Sequence, residues 1–292
     1  MDLLKQLYKV HSPSHHEEPM QKFILAWLKK NQPTVKVSID KAGNIYVTKG
    51  DAETFPCVVA HMDEVHDKRP AHFKIVVYKD NYILGGDSEL LRPCGIGADD
   101  KNGIWVALKL LSKFESMKAA FFVGEEVGCT GSNRCDMKFF DDCRFVLQAD
   151  RKGGSDFIEK ANGVELCGQA FKSALKLSQF GYKATDGLLT DVMTLKNRGL
   201  KVACANVSCG YYNPHTVDEY TSFYELENCL AFFEHAFSEI TTVQPHKHIP
   251  KYDVRPYSGY GKYSMNGSWL DDDETDMPSR GRSYVPQPKF NF

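Results

Sequence analysis

Four short, nearly unbroken apolar runs constrain this chain more than any other feature: Cys57-Val58-Val59-Ala60, Ala119 to Val123, Phe145 to Ala149 and Val202 to Val207. Runs of four to six apolar residues without alternation are the pattern of strands buried on both faces. Between and after them lie segments of helical periodicity, from about Lys101 to Phe114, near Leu166 to Phe180, from Asp191 to Arg198 and from Tyr224 to Ile240. Strands alternating with helices predict an α/β fold with a mixed central sheet and helices on both faces. Ligands of such sheets gather beyond the carboxyl ends of the strands.

Ahead of the first run, Met20, Phe23, Ile24, Trp27 and Leu28 stand at helical spacing within Glu17 to Lys30, which predicts an amphipathic helix beginning near Ser14. Val35 to Lys49 reads as two strands around the Ala42-Gly43-Asn44 turn, and Phe73 to Leu84 as a hairpin turning at Lys79-Asp80-Asn81. From about Val243 the chain turns rich in Pro, Gly, Ser, Tyr and charge and poor in aliphatic residues. Residues 1–242 are therefore expected to form one folded domain and 243–292 an extended or disordered tail. The run Asp271-Asp272-Asp273-Glu274 and the pair His246 and His248 are assigned to that solvated tail, which offers no rigid scaffold for a site.

A formal net charge of -2 gives no basic field, so neither nucleic acid nor anionic lipid is an expected partner, whereas a small neutral or zwitterionic substrate fits. The start Met1 to Ser14 lacks the pattern of a secretory signal and no stretch is long and apolar enough to span a membrane, so a cytoplasmic location is expected. Nine cysteines, an odd number without paired close spacings, read as reduced and mostly buried thiols.

Each of the four strands delivers an imidazole or a carboxylate just past its apolar residues. His61 follows the first, Glu125 and Glu126 the second, Asp150 the third, and His215 lies a short loop beyond the fourth. Asp99 joins them from Gly95-Ile96-Gly97-Ala98-Asp99-Asp100, just ahead of a helix, where an acid on its own would be read as a cap. His61, Asp99, Glu126, Asp150 and His215 form an N/O donor set suited to zinc, with cobalt or manganese as substitutes. Five protein ligands are too many for one catalytic zinc, which takes three and keeps a position open, so two metal ions sharing a carboxylate are expected. The adjacent Glu125 and Glu126 then divide into a general base and a ligand, and amide hydrolysis is the chemistry such a pair performs.

At these residues the chain resembles the co-catalytic dinuclear zinc exopeptidases, the clan of peptidase T, carboxypeptidase G, aminoacylase and the bacterial leucyl aminopeptidases. The matching pieces are His61-Met62-Asp63, Gly97-Ala98-Asp99-Asp100-Lys101-Asn102-Gly103, Gly124-Glu125-Glu126-Val127-Gly128, Asp150 at a strand end and Asn213-Pro214-His215. His11-Ser12-Pro13-Ser14 with Glu17-Glu18, and Leu189-Thr190-Asp191, also look like segments of the clan. The resemblance runs over roughly residues 1 to 240 and implies a three-layer hydrolase-like sandwich. It implies that Asp99 bridges the metals, that His61 and Asp150 complete one site and Glu126 and His215 the other. It further implies that Glu125 is the general base, that Asp63 orients the His61 ring, and that the Asp99-Asp100 peptide is cis. About 38 residues separate His61 from Asp99 and about 65 separate Asp150 from His215, too few for the lid or dimerisation domains that larger members insert.

The expected activity is hydrolysis of small peptides from one end, with aminopeptidase action favoured. Deacylation of N-acyl amino acids is the alternative among enzymes, and a non-catalytic metal-binding interaction protein the alternative outside them. Asp191 is the candidate acceptor for a substrate ammonium, Arg151 or Arg92 the candidate cation for a substrate carboxylate.

Overall fold

The computed structural model describes residues 1–79 and 81–247. It opens with α1 (Asp2–Lys9), which buries Leu4, Leu7 and Tyr8 along one stripe, and α2 (Glu18–Asn31), which buries Met20, Ile24 and Leu28. The second helix starts four residues later than its apolar spacing suggested. Pro19 sits in its first turn, His15 takes a left-handed φ of 69°, and the Ser14 hydroxyl is drawn away to Asp63.

The chain then forms β1 (Lys36–Ile39), β2 (Ile45–Lys49), β3 (Phe55–His61), β4 (Phe73–Tyr78), β5 (Tyr82–Asp87) and β6 (Arg92–Cys94). The expected hairpin is β4 and β5; its turn includes Asp80, which lies outside the described residues. Next come α3 (Ala98–Lys113), β7 (Met117–Phe122), α4 (Thr130–Arg134), β8 (Cys143–Arg151), β9 (Asp156–Ala161), β10 (Val164–Glu165) and α5 (Gln169–Leu175). Last are β11 (Lys183–Gly187), α6 (Asp191–Asn197), β12 (Cys204–Ser208), β13 (Tyr211–Tyr212), β14 (Tyr220–Ser222) and α7 (Phe223–Glu239).

The central sheet runs β1-β2-β7-β3-β8-β12-β9-β10, with β11 added beside β9. Its middle four strands, β7, β3, β8 and β12, are mutually parallel, so all four carboxyl ends face the same side. These are the four apolar runs. Val58 and Ala60 of β3 pack into the core beneath α1, α2, α3 and α7, while Cys57 and Val59 pack with Val192, Met193 and Leu195 of α6. Helices thus cover both faces, as expected. Strands β9 and β11 escaped the sequence reading because Glu159 and Lys160 interrupt the first and the second is largely exposed and polar.

A second sheet, β13-β14-β5-β4 with β6 also on β5, forms from the hairpin and the segment after β12. The pairing Tyr220↔Leu84 through Ser222↔Tyr82 joins the two, which ties the loop carrying His215 to the region leading into Asp99. Residues 243–247, expected to open an unpacked tail, are instead bonded to the domain. Ala203 N–H donates to Gln244 O, His246 N–H to Lys201 O, and the Lys196 ammonium reaches Val202 O at 2.5 Å and His246 O at 3.1 Å. The rest of the expected tail, with His248 and Asp271 to Glu274, lies outside the described residues. Among the described residues no helix is long and apolar enough to cross a membrane.

Candidate metal centre

His61 is the last residue of β3, Asp150 the penultimate residue of β8, and Glu125 and Glu126 follow β7 by a short turn. All sit at the carboxyl edge of the four parallel strands. That turn needs Gly124: its φ is +60° and a Cβ there would stand 2.2 Å from the Thr130 hydroxyl. Asp99 arrives at the start of α3, where Asp99 and Asp100 have non-helical φ/ψ and the peptide between them is cis. His215 comes from the loop between β13 and β14.

The structure brings all five residues of the expected ligand set together. His61 Nε2 lies 3.1 Å from Asp99 Oδ1 and 3.4 Å from Asp150 Oδ1, while His215 Nε2 lies 3.4 Å from Asp99 Oδ2 and 3.2 Å from Glu126 Oε2. Asp99 therefore turns one oxygen to each imidazole. Glu126 Oε1 is buried and has no hydrogen-bond partner. Asp100 also lies close to His61 and Asp150, but its oxygens accept from His61 N–H at 3.2 Å and Gly103 N–H at 2.9 Å, so backbone amides occupy it.

Electrostatics follow from gathering acids away from water. Burial, reinforced by the Asp99 charge, pushes Asp150 well above the carboxylate range, and burial does the same to Glu125 with help from Asp150 and Asp191. Glu126 is raised by burial and by Asp99. Burial also works against Asp99, but His215 and His61 outweigh it and hold that carboxyl far down. The His61 imidazole, which burial alone would lower, is raised well above its ordinary value by Asp150, Asp63 and Asp99, and His215 is raised to about 10 by Asp99 and Glu126. The three carboxylates of Asp99, Glu126 and Asp150 held against two imidazoles, with one buried oxygen of Glu126 unpartnered, form a donor set that fits divalent cations.

Around the cluster stands a layer of polar residues that fix it. Asp63 accepts from Ser14 Oγ, Glu125 N–H and Glu126 N–H, and its Oδ1 lies 3.3 Å from His61 Nδ1, so one carboxylate orients both the ring and the acidic pair. Buried Glu17 accepts from Gly124 N–H at 3.1 Å and braces the same turn. Gln148 Nε2 donates to Asp150 Oδ2 at 3.0 Å, and Asn206 bonds the Asp150 backbone on both sides.

Glu219 carries the loop into Asp99, accepting from the N–H groups of Ile96 at 3.0 Å, Gly97 at 2.7 Å and Asp99 at 3.2 Å. Glu17 was noted only as part of a segment resembling the clan, without this role, and Gln148, Asn206 and Glu219 were not anticipated. A polar residue inside each of two buried apolar runs was the available signal for Gln148 and Asn206; Glu219 gave none.

Beneath the same loop, Glu64 is pinned between Lys101 Nζ at 2.9 Å and Arg69 at 3.2 Å, and Gly97 has no room for a side chain beside it, a Cβ coming within 2.0 Å of Glu64 Oε2. Lys101 and Arg69 overcome burial and hold Glu64 below its usual range. Lys101→Met leaves that carboxylate short of a buried partner and is expected to lower unfolding free energy by about 3 kcal/mol, measured by urea titration. A change within about 0.5 kcal/mol would mean that Arg69 alone satisfies Glu64.

Comparison with known proteins follows the same lines. No protein-family model matches the chain. A TET aminopeptidase from a marine sediment archaeon of the Thaumarchaeota superposes with a TM-score of 0.66 over 83% of this chain and 97% of that one, at 12% identity. An aminopeptidase from Desulfurococcus kamchatkensis gives 0.63 over 82% and 94% at 18% identity, and a tripeptidase from Staphylococcus aureus gives 0.61 over 82% and 97% at 13%. At these identities the likeness is one of fold, shared with two aminopeptidases and a tripeptidase. Among curated proteins, one from Pyrobaculum aerophilum, named as a LysW-lysine/LysW-ornithine hydrolase, is 38% identical over 69 residues. That match covers 24% of this chain and only 20% of that protein.

Proposed function

We propose that this chain is a dinuclear metal-dependent exopeptidase, its catalytic domain extending through residue 247, that removes residues from the amino end of small peptides. The observation that carries the reading is the division of Asp99. Ligand atoms about 2.0–2.1 Å from a tetrahedral zinc lie roughly 3.3 Å apart. The two sets here, His61 with Asp150 and Asp99 Oδ1, and His215 with Glu126 and Asp99 Oδ2, have His–carboxylate separations of 3.1 to 3.4 Å. Each set would hold one ion, zinc being the expected metal. When bound, the ions would supply Lewis-acid activation of the substrate carbonyl and of water.

The chain's own residues supply the rest. Glu125, fixed through its N–H to Asp63 and receiving the Cys129 thiol at 3.4 Å on Oε1, takes the proton of the attacking water and passes it to the leaving amine. Amino-terminal specificity rests on charge. Arg151 is paired with Asp156, Arg92 lies at the exposed start of β6, and Lys101 and Arg69 are engaged by Glu64, which leaves a site dominated by carboxylates. Bound divalent ions would neutralise the ligand carboxylates, so the negative charge that favours an ammonium comes from the acids outside that set, Asp191 among them. Asp191, buried, held near 6 mainly by burial, and accepting from Ser132 at 2.6 Å and Gln148 at 3.3 Å, adds negative potential from behind.

Purified zinc-loaded protein is expected to cleave free di- and tripeptides about 10- to 100-fold faster than their N-acetylated forms, the worth of one charge-assisted hydrogen bond. Equal turnover of both would discard amine recognition, and faster turnover of N-acyl amino acids would make the chain a deacylase. No turnover of either by protein that holds its metals would point to a binding role.

A further inference from the structure

We infer that Cys129 is a positioning residue for the reaction, its thiol holding the Glu125 carboxyl in the orientation from which it takes a proton from the attacking water. The inference rests on the peptidase reading above and deepens it at one bond. The turn over residues 123–131 is framed by its own backbone. Thr130 N–H donates to Gly124 O at 2.8 Å, Gly131 N–H to Val123 O at 2.9 Å, and the N–H groups of Gly128 and Cys129 to Glu125 O at 2.9 and 2.8 Å. These bonds fix where residue 125 leaves the chain, but not the torsions of its side chain. Among the described residues, the hydrogen bond to the Glu125 carboxyl comes from Cys129 Sγ, 3.4 Å from Oε1.

Cys129 carries that thiol at a φ of 53°, in the left-handed region where glycine is the ordinary residue and a side chain is strained. Such conformations gather at functional sites, where the surrounding structure holds them. The residue is fully buried, and the Thr194 hydroxyl of α6 lies in hydrogen-bond contact with the sulfur, so the thiol is held from one side by α6 and from the other by Glu125. Burial, aided by the charges of Asp191 and Glu125, pushes the thiol well above its ordinary range, so it keeps the proton it donates. A thiol is also a weak donor, which orients Oε1 while competing little for the lone pairs that the water needs.

The test uses the full chain loaded with zinc and the free tripeptide Leu-Gly-Gly. Cys129→Ala removes the donor and should lower kcat about 3- to 10-fold, the worth of one weak hydrogen bond, with KM within about twofold and zinc content unchanged. Cys129→Gly takes the left-handed φ without strain and should show the same loss, which separates a lost donor from a folding defect. Cys204→Ala removes an equally buried thiol, one that bonds Leu166 O and Val192 O, and should leave kcat within about twofold. In the Glu125→Gln background Cys129→Ala should change the residual kcat by less than about twofold, because a group acting through Glu125 has no base left to position. With an active parent, losses that multiply in the double variant, an unchanged kcat in the single variants, lost zinc, or a rise in KM larger than the fall in kcat each overturn the inference and leave the peptidase reading intact. A parent that holds its zinc and turns over no peptide removes both.

Discussion

Glu125→Gln is expected to lower kcat on a good peptide substrate by about 10²- to 10⁴-fold while the protein keeps its full metal content. The substitution keeps the shape of the side chain and leaves the backbone N–H of residue 125 free to bond Asp63 Oδ1, now at 3.0 Å. Glu126, His215, Asp99, His61 and Asp150 are untouched, so the donor set persists. What is lost is the ability to accept a proton from the attacking water and to return it. Elemental analysis for zinc beside steady-state kinetics reads both halves of the claim. Turnover within a few-fold of the parent would move the base to another residue, and loss of zinc would make Glu125 part of the metal-holding set.

The centre was legible in sequence because its residues occupy a position that the fold dictates. The inner stretch of a buried parallel strand is largely apolar, so the imidazole or carboxylate that closes it marks the carboxyl end, as His61 does in β3, Asp150 in β8 and Glu125 just past β7. His215 was placed a short loop beyond the fourth run as well as by motif, without the path of that loop. The route by which it arrives, through β14 pairing with β5, joins segments more than a hundred residues apart and has no local signature.

Glu219, and the role of Glu17, were illegible for a related reason. Each acts by accepting backbone N–H groups of a distant loop, and a backbone amide has no sequence identity. The same holds for residues 243–247, where composition suggested a tail but hydrogen bonds from Lys196 and the backbone around Lys201 and Ala203 dock them. Composition reports how much apolar surface a segment can bury; these residues attach by hydrogen bonds instead.

Removing the metals should destabilise the chain, and more so as pH rises. In the metal-free fold His61 and His215 are raised, His215 to about 10, so the stability they contribute is complete below the ordinary imidazole range and is lost as pH climbs through the folded value. Asp150, Glu125 and Glu126 are raised by burial first, so above about pH 4 the unfolded chain sheds their protons more readily than the fold does, which again favours unfolding as pH rises. Asp99 runs the other way, but its depressed value confines its effect to acid.

Divalent ions reverse the trend, because they bind neutral imidazoles and ionised carboxylates, the forms that higher pH supplies. Zinc at about a thousand times its dissociation constant contributes roughly 4 kcal/mol, equivalent to a rise in Tm of about 10 °C for a domain of this size. Scanning calorimetry of chelated and zinc-loaded protein should therefore show a gap in Tm that widens from pH 6 to pH 8.5. A gap that narrows over that range, or no gap at all, would contradict a cluster of imidazoles and buried acids built to be neutralised by metal.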